Sequence, residues 1–474
     1  MAEPPHGGAL LLRGPAGSAI SVATDGMLRQ VERCAALSEA ATAALAQLIA
    51  ARALGVPGPV AAAAERAEQG LRRVRGLADE LVVSVAAAAQ AYERVELAAE
   101  RRQRASAALL AGVLGSVARA GLALSLLALL ANPGLLATAV MMLVAGRQPP
   151  RQEGGGVLDW LTGHPEVITS PEFVRLVGLV VTSGDDAVLG LLGVPPGLSL
   201  LLGDDALGLT GLGFGASSAI AAGAALGVMR ETGVEVHRLG ERLGGSAPAG
   251  SAERLARVPE GEAQLRLERY DAPGRPPRWI VYVGPTYDFA VTGDQPFDMT
   301  SNMHGVAGGS PASLRAVELA LADAGVSPED EVQFVGFSQG GMIAARAVES
   351  GQWNAVGLET YGGPVGNVDI PASVHGITVR HTDDLVPGTG GPDAPDSLVH
   401  VEQRAYPPGE PMPAIPAPAH QRSSYLATAR QIDGAESELL RAEVARLNSF
   451  GADYLAAGGT VQLIEYRAVR VPEA

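Results

Sequence analysis

Apolar positions recur every three or four residues along two long stretches near the N-terminus, 18–53 and 59–104. In the second stretch Val60, Ala64, Leu71, Val74, Leu77, Leu81, Ala88 and Tyr92 mark one helical stripe, and GVPGPV (55–60) breaks the pattern between the two. The spacing predicts two long helices joined by a tight Gly/Pro turn, an antiparallel hairpin occupying 1–104. The next segment, 105–146, is apolar throughout and carries Arg119 as its one charge. Asn132-Pro133-Gly134 cuts it, because Asn caps helices and Pro suits a first helical turn. Each half is then too short to cross a bilayer alone. Two readings stand open for 105–150: a kinked or membrane-dipping hairpin, or core helices buried beneath the first.

From 151 to 250 the chain is rich in Gly and Leu and is expected to be mainly helical. It holds a short echo, GDDAVLGL (184–191) and GDDALGL (203–209), whose paired aspartates read as helix caps rather than a metal site. The polar GGSAPAGSAE (244–253) marks a boundary, and beyond it the periodicity changes. β-type runs at 264–270, 278–284, 332–337, 376–381 and 460–467 alternate with helical stretches near 311–324, 341–350, 421–431 and 435–456. That alternation predicts an α/β domain over 262–474, a mainly parallel sheet covered on both faces, preceded by an all-α N-terminal region.

Composition narrows the function. The chain has 474 residues, 47% hydrophobic with only 4% aromatic, and a net charge of −16. Nucleic acid is not an expected partner, since phosphate binding requires a basic surface. The charge is uneven: residues 1–151 hold 15 Arg against 11 Asp plus Glu, a balance of +4, leaving 20 against 40, or −20, for the remainder. All basic residues are arginine. Cys34 is the single cysteine, so no intrachain disulfide and no Cys-based metal site is expected. No basic start precedes a long apolar core at the N-terminus, so general secretory export is not expected either.

The densest chemistry lies in VQFVGFSQGGMIAARAVES, 332–350. A strand runs into Gly336-x-Ser338-x-Gly340 and a helix leaves it. A serine on so sharp a strand-to-helix turn points its hydroxyl clear of the sheet, and glycines two before and two after remove the Cβ atoms that would clash. The helix then aims free N–H groups at the reacting centre. Ser338 is therefore the candidate nucleophile.

A serine needs a base, and the base an orienting anion. In a sheet of this kind both belong on loops after later strands, in the order Ser, Asp, His. GITVRHTDDLVPG places Asp383 and Asp384 just past a strand; Asp384 is preferred, with Asp383 in reserve. His420, in PAPAHQRSSYLATAR, sits on a loop about to enter a helix, 36 residues after Asp384, and is the expected base, with His400 in reserve. The oxyanion hole needs two backbone donors. One is expected from Gln339; the other from Thr286 in VYVGPTYDF, because Pro285 has no N–H and Thr286 adds a hydroxyl.

These pieces resemble the α/β-hydrolase superfamily, and more narrowly its lipase and cutinase-like branches. GFSQGG looks like the elbow of cutinases and lipases, and HTDDLVP is similar to the T-N-D-x-V-P acid loop of class 3 lipases, in which the position of Asp384 is the triad acid. VGPT stands where such enzymes have P-G-T or R-G-T. The resemblance implies a serine esterase or lipase acting on small-molecule or lipid esters, with no cofactor and no metal. Two alternatives stand beside it: a membrane-associated or exported scaffold that keeps the domain without turnover, and a lipid-directed effector that keeps catalysis and is delivered by the N-terminal hairpin. The N-terminal hairpin resembles actinobacterial type VII secretion substrates, with AYERVE placing Tyr92 and Glu96 one turn apart, although its turn lacks Trp. That resemblance implies a helical partner and export by that route. Membrane contact through 105–146, or otherwise a cytoplasmic location, is the companion expectation.

Overall fold

The computed structural model describes residues 10–13, 22–53, 60–61, 63–85, 169–171, 174 and 229–471, the last stretch without 291–292, 392–396, 408–411, 414 and 416. The chain divides into two compact units, Ser18–Gln103 on one side and Met1–Gly17 with Arg104–Ala474 on the other.

The smaller unit contains helix α1 (Val22–Ala53) and helix α2 (residues 63–85). Their polar contacts fix the direction of pairing. Ser38 Oγ donates to Asp79 Oδ1 at 2.6 Å, while Arg52 bonds Glu68 at 2.7 Å, so the paired positions converge toward the turn as they must in an antiparallel hairpin. Ala41, Leu45 and Ala78 are buried between the helices. Within α1, Val31–Ala53 is long and apolar enough to cross a membrane by length and composition alone. Tyr92, Glu96, the 105–146 segment and both GDD echoes lie outside the described residues.

The larger unit is built on a mixed nine-stranded sheet. Its strands are β1 (Leu11–Arg13), β2 (Gly233–Leu243), β3 (Leu265–Asp271), β4 (Arg278–Val283), β5 (Glu331–Phe337), β6 (Asn354–Tyr361), β7 (His375–His381), β8 (Val399–Gln403) and β9 (Thr460–Val471), in the spatial order β1-β8-β7-β6-β5-β4-β3-β9-β2. Strands β4 to β8 are mutually parallel, and every other neighbour pair is antiparallel. The sheet is thus mixed rather than mainly parallel. The cause is local: only residues 272–277 link β3 to β4, and a parallel connection needs a crossover of a dozen residues or more. The sheet also reaches beyond 262–474, since β2 and β1 close its two edges. β2 stands where the Gly/Leu-rich region was expected to be mainly helical. Arg238, Glu241 and Arg242 along it are all exposed, the charged dressing that edge strands need against pairing with another chain.

Helices cover both faces. α3 (Ser251–Arg257), α4 (Met299–Val306), α5 (Ala312–Ala324), α6 (Gln339–Glu349), the one-turn α7 (Leu385–Gly388), α8 (Arg422–Asp433) and α9 (Glu438–Ala456) follow in order. Alternation along the central strands decides which side chains meet which layer. Trp279, Val281, Val283, Val332, Phe334 and Leu358 share one core with Ala316, Val317 and Ala320 of α5 and Ile343 and Ala344 of α6. Tyr270 points the other way, against α9, where a Cβ on Gly451 would come within 2.8 Å of its ring. β5 is consequently buried on both faces, and its C-terminal end, flanked by those of β4 and β6, runs directly into the turn at Ser338.

Candidate active site

The turn after β5 is strained in the way its sequence requires. Ser338 has φ 56°, one of three non-glycine residues with positive φ among the described residues. It is both the last residue before α6 and the residue on which the chain reverses. The flanking glycines have no alternative: a Cβ on Gly336 would lie 2.1 Å from the Gly340 carbonyl oxygen, and one on Gly340 would lie 2.2 Å from that of Val283. The Ser338 N–H donates to the Tyr361 carbonyl at 2.8 Å, tying the turn to the end of β6. Strain of this size persists only where the surroundings over-determine it.

Ser338, His420 and Asp384, which are 82 and 36 residues apart in their successive contacts, are brought into one chain of hydrogen bonds. Ser338 Oγ lies 2.8 Å from His420 Nε2, and His420 Nδ1 lies 2.6 Å from Asp384 Oδ2. Asp384 is an acceptor on both oxygens, so Nδ1 carries the imidazole proton and Nε2 faces the serine hydroxyl as an acceptor. His420 ends a 3-10 turn, Pro418–His420, whose N-cap Ala417 has φ 44°. Of the three non-glycine residues with positive φ among the described residues, Ser338 belongs to this site and Ala417 is three residues before its histidine. The His420 ring stacks on Phe337, with centroids 5.4 Å apart and planes 22° apart, which limits its tilt toward the serine. Asp384 caps α7, accepting the Val386 N–H on Oδ1 at 3.0 Å.

The reserve residues lie elsewhere. Asp383 is turned away from His420: its two oxygens accept the Ala405 and Tyr406 N–H groups, each at 2.9 Å, and so peg the chain leaving β8. Adjacent side chains after a strand diverge, which is why one aspartate meets the histidine and the other the backbone. His400 is inside β8, in register with Thr378 on one side and Arg13 on the other, and is not the histidine that reaches Ser338.

Gln339 is the first residue of α6, and its backbone N–H is one of the four at a helix start that have no intrahelical acceptor. Its side chain is buried and donates to the Asp298 carbonyl at 3.0 Å, which joins the elbow to the start of α4. Thr286 follows β4 by three residues, and Asn302 Nδ2 donates to its Oγ1 at 2.9 Å. An amide nitrogen only donates, so the Thr286 hydroxyl keeps its own hydrogen for another acceptor. Among the described residues no group of three or more His, Cys, Asp or Glu is arranged to hold a metal ion.

Three contributors gave no signal in the sequence. Tyr425, on α8, donates its phenolic hydrogen to Asp384 Oδ2 at 2.8 Å. His381, at the end of β7, lies parallel to the Tyr425 ring with centroids 3.9 Å apart, and its Nδ1 donates to the Ala419 carbonyl at 2.7 Å. Asn302 is the third. Burial pushes the His381 imidazole below its usual range, more strongly than the Ala419 carbonyl and the Asp384 and Asp383 carboxylates pull it up. The fold therefore keeps His381 neutral, whereas the unfolded chain binds a proton there below about pH 6.5. Stability from this group is complete above the unfolded value and is lost as pH falls toward the folded one. The wild type is expected to lose more stability between pH 7.5 and pH 5.5 than a His381→Gln variant, read as the shift in urea midpoint; equal shifts in the two would refute this.

Comparison with models of known protein families, with curated proteins and with solved structures finds no match to this chain.

Proposed function

We propose that the chain is a serine hydrolase that cleaves carboxylic esters through an acyl-enzyme, and that its larger unit is an α/β-hydrolase domain. The observation that carries this reading is the unbroken hydrogen-bond relay from Ser338 through His420 to Asp384, anchored on a strained turn at the C-terminal ends of parallel strands. An ordinary buried histidine would not be wedged between a strained serine and a fully buried carboxylate.

In the proposed reaction Ser338 Oγ attacks the ester carbonyl carbon while His420 Nε2 takes the hydroxyl proton. Asp384 holds the imidazolium so formed, through the Nδ1–H bond already in place. The carbonyl oxygen becomes an oxyanion facing the N–H of Gln339 and the backbone and hydroxyl donors of Thr286, donors fixed before the reaction starts. As the tetrahedral adduct collapses, the carbon–oxygen bond to the alcohol breaks and His420 returns its proton to the departing alkoxide. Water then attacks the acyl group on Ser338 by the same route, with His420 as base, and releases the acid. Asn302 contributes by occupying the Thr286 oxygen as a donor, which leaves the threonine hydrogen to point at the oxyanion.

The test is a panel of chromogenic esters of rising acyl length. The expected result is hydrolysis preceded by a burst of one alcohol per chain, because the acyl-enzyme accumulates when its hydrolysis is the slower step. Release at the buffer rate for every ester would remove the proposal.

A further inference from the structure

We propose that Tyr425 is a positioning residue for this site: its phenol locks the Asp384 carboxylate in place and takes a share of the charge that would otherwise bear on His420. The inference rests on the hydrolase reading, and goes beyond the three residues of the relay.

The carboxylate has three donors. On Oδ2 the His420 Nδ1–H at 2.6 Å and the Tyr425 O–H at 2.8 Å arrive together, and on Oδ1 the Val386 N–H arrives at 3.0 Å. A carboxylate bonded on both oxygens cannot rotate without breaking a bond. The phenol is itself steered, because the backbone N–H of His381 donates to its oxygen at 3.2 Å and so turns its hydrogen toward Asp384. The ring has no freedom either. His381 stacks on one side, Tyr361 meets it edge-on at 6.5 Å and 82°, and Gly362, at φ 62°, leaves room where a Cβ would fall 2.9 Å from the ring. Burial first, and then the neighbouring Asp384 charge, hold the phenol far above its usual range, so it remains a donor throughout the working pH interval.

His381 links the two halves of this arrangement. It stacks on the tyrosine that holds the acid and bonds the carbonyl of Ala419, the residue directly before His420. Acid and base are thus set against one brace from the end of β7.

The electronic consequence has a definite sign. Two donors on one oxygen divide its negative charge. Removing the phenolic hydrogen concentrates that charge on His420, which then gives up its proton less readily, and the acid limb of the pH–rate profile moves to higher pH. A tyrosine that only filled space would leave that limb where it is, since phenylalanine fills nearly the same volume.

The experiment uses the full chain as wild type, Tyr425→Phe and Tyr406→Phe. The last removes another buried phenol, whose partner is Ser424 Oγ at 3.4 Å, and does not touch Asp384. The rate of labelling by a fluorophosphonate is followed across the pH range, and the downfield proton resonance of the His420–Asp384 bond is recorded alongside. For Tyr425→Phe the plateau rate is expected to fall about tenfold, as for loss of a hydrogen bond to a charged group, and the acid limb to rise by about half a unit. The downfield resonance is expected to move further downfield, and Tyr406→Phe to match the wild type in all three readings. If the wild type labels and Tyr425→Phe keeps its acid limb and its downfield resonance unshifted, the inference is overturned, whatever happens to the plateau. If the wild type does not label and the resonance still moves, the positioning role of Tyr425 stands and the hydrolase reading falls.

Discussion

Ester hydrolysis by Ser338→Ala is expected to be about 10⁵- to 10⁶-fold below the wild type in kcat, and Asp384→Asn about 10⁴-fold below. The first loses the atom that forms the acyl-enzyme in the proposed reaction. The second loses less because the serine and histidine remain, yet an asparagine can present its amide to Nδ1 and so stabilise the wrong imidazole tautomer. Both losses should sit in kcat, with KM little changed, since neither side chain is needed to bind the ester in its ground state. The contrast with Asp383→Asn is diagnostic. Asp383 bonds only backbone N–H groups of Ala405 and Tyr406, so its variant should lose stability and keep the rate per folded molecule. Steady-state kinetics on the three variants, scaled to the folded fraction, would detect the reverse pattern if Asp383 were the acid. A triple variant at Ser338, Asp384 and His420 is expected to be no slower than Ser338→Ala alone, because the three act as one unit.

The second large effect lies beneath the elbow. Arg254 and Glu359 form an ion pair with both side chains fully buried, and Glu359 also accepts the Ser251 hydroxyl at 2.5 Å and the Tyr361 hydroxyl at 2.8 Å. Replacing Glu359 with Ala strands a guanidinium in the core, which costs about 3–5 kcal/mol of folding free energy. The double replacement Arg254→Met with Glu359→Leu removes both charges and should recover most of that loss. Urea denaturation of the two variants and the wild type measures the difference; a single variant as stable as the wild type would contradict this account of the pair. The same site bears on chemistry, because the Tyr361 carbonyl accepts the Ser338 N–H. A loosened β6 should therefore lower the rate at temperatures where the chain is still folded.

Much of the framework was legible because its signals are local. The apolar periods at 311–324, 341–350, 421–431 and 435–456 correspond to α5, α6, α8 and α9, and β5 with its glycine-flanked serine reads directly from VQFVGFSQGG. β6 did not show because Gly357, Glu359 and Thr360 interrupt its apolar run. Glu359 is charge-balanced there by Arg254, whose partnership across 105 residues no local window contains. β2 was hidden by the charges of an edge strand, and the three residues of β1 become a strand only by pairing with β8. The sheet's mixed direction was unreadable for a related reason, since strand runs alone do not say that β9 enters between β3 and β2.

The site divides along the same line. Order along the chain, together with the rule that acid and base follow later strands, narrowed the set to Ser338, Asp384 or Asp383, and His420 or His400, and the fold brings Ser338, His420 and Asp384 into contact. Tyr425 and His381 carried no such mark. A tyrosine on an amphipathic helix and a histidine at a strand end have many ordinary uses, and their meeting over Asp384 depends on how α8 is laid against β7. Asn302 acts on Thr286 from across a loop for the same reason.

The most direct measurement is the mass and position of the adduct left by a fluorophosphonate on the full chain, read by intact mass and peptide mapping. One adduct per chain, on Ser338, absent from Ser338→Ala and from His420→Ala, is the expected result. No adduct on the folded wild type, or an adduct on another serine that survives Ser338→Ala, would contradict it.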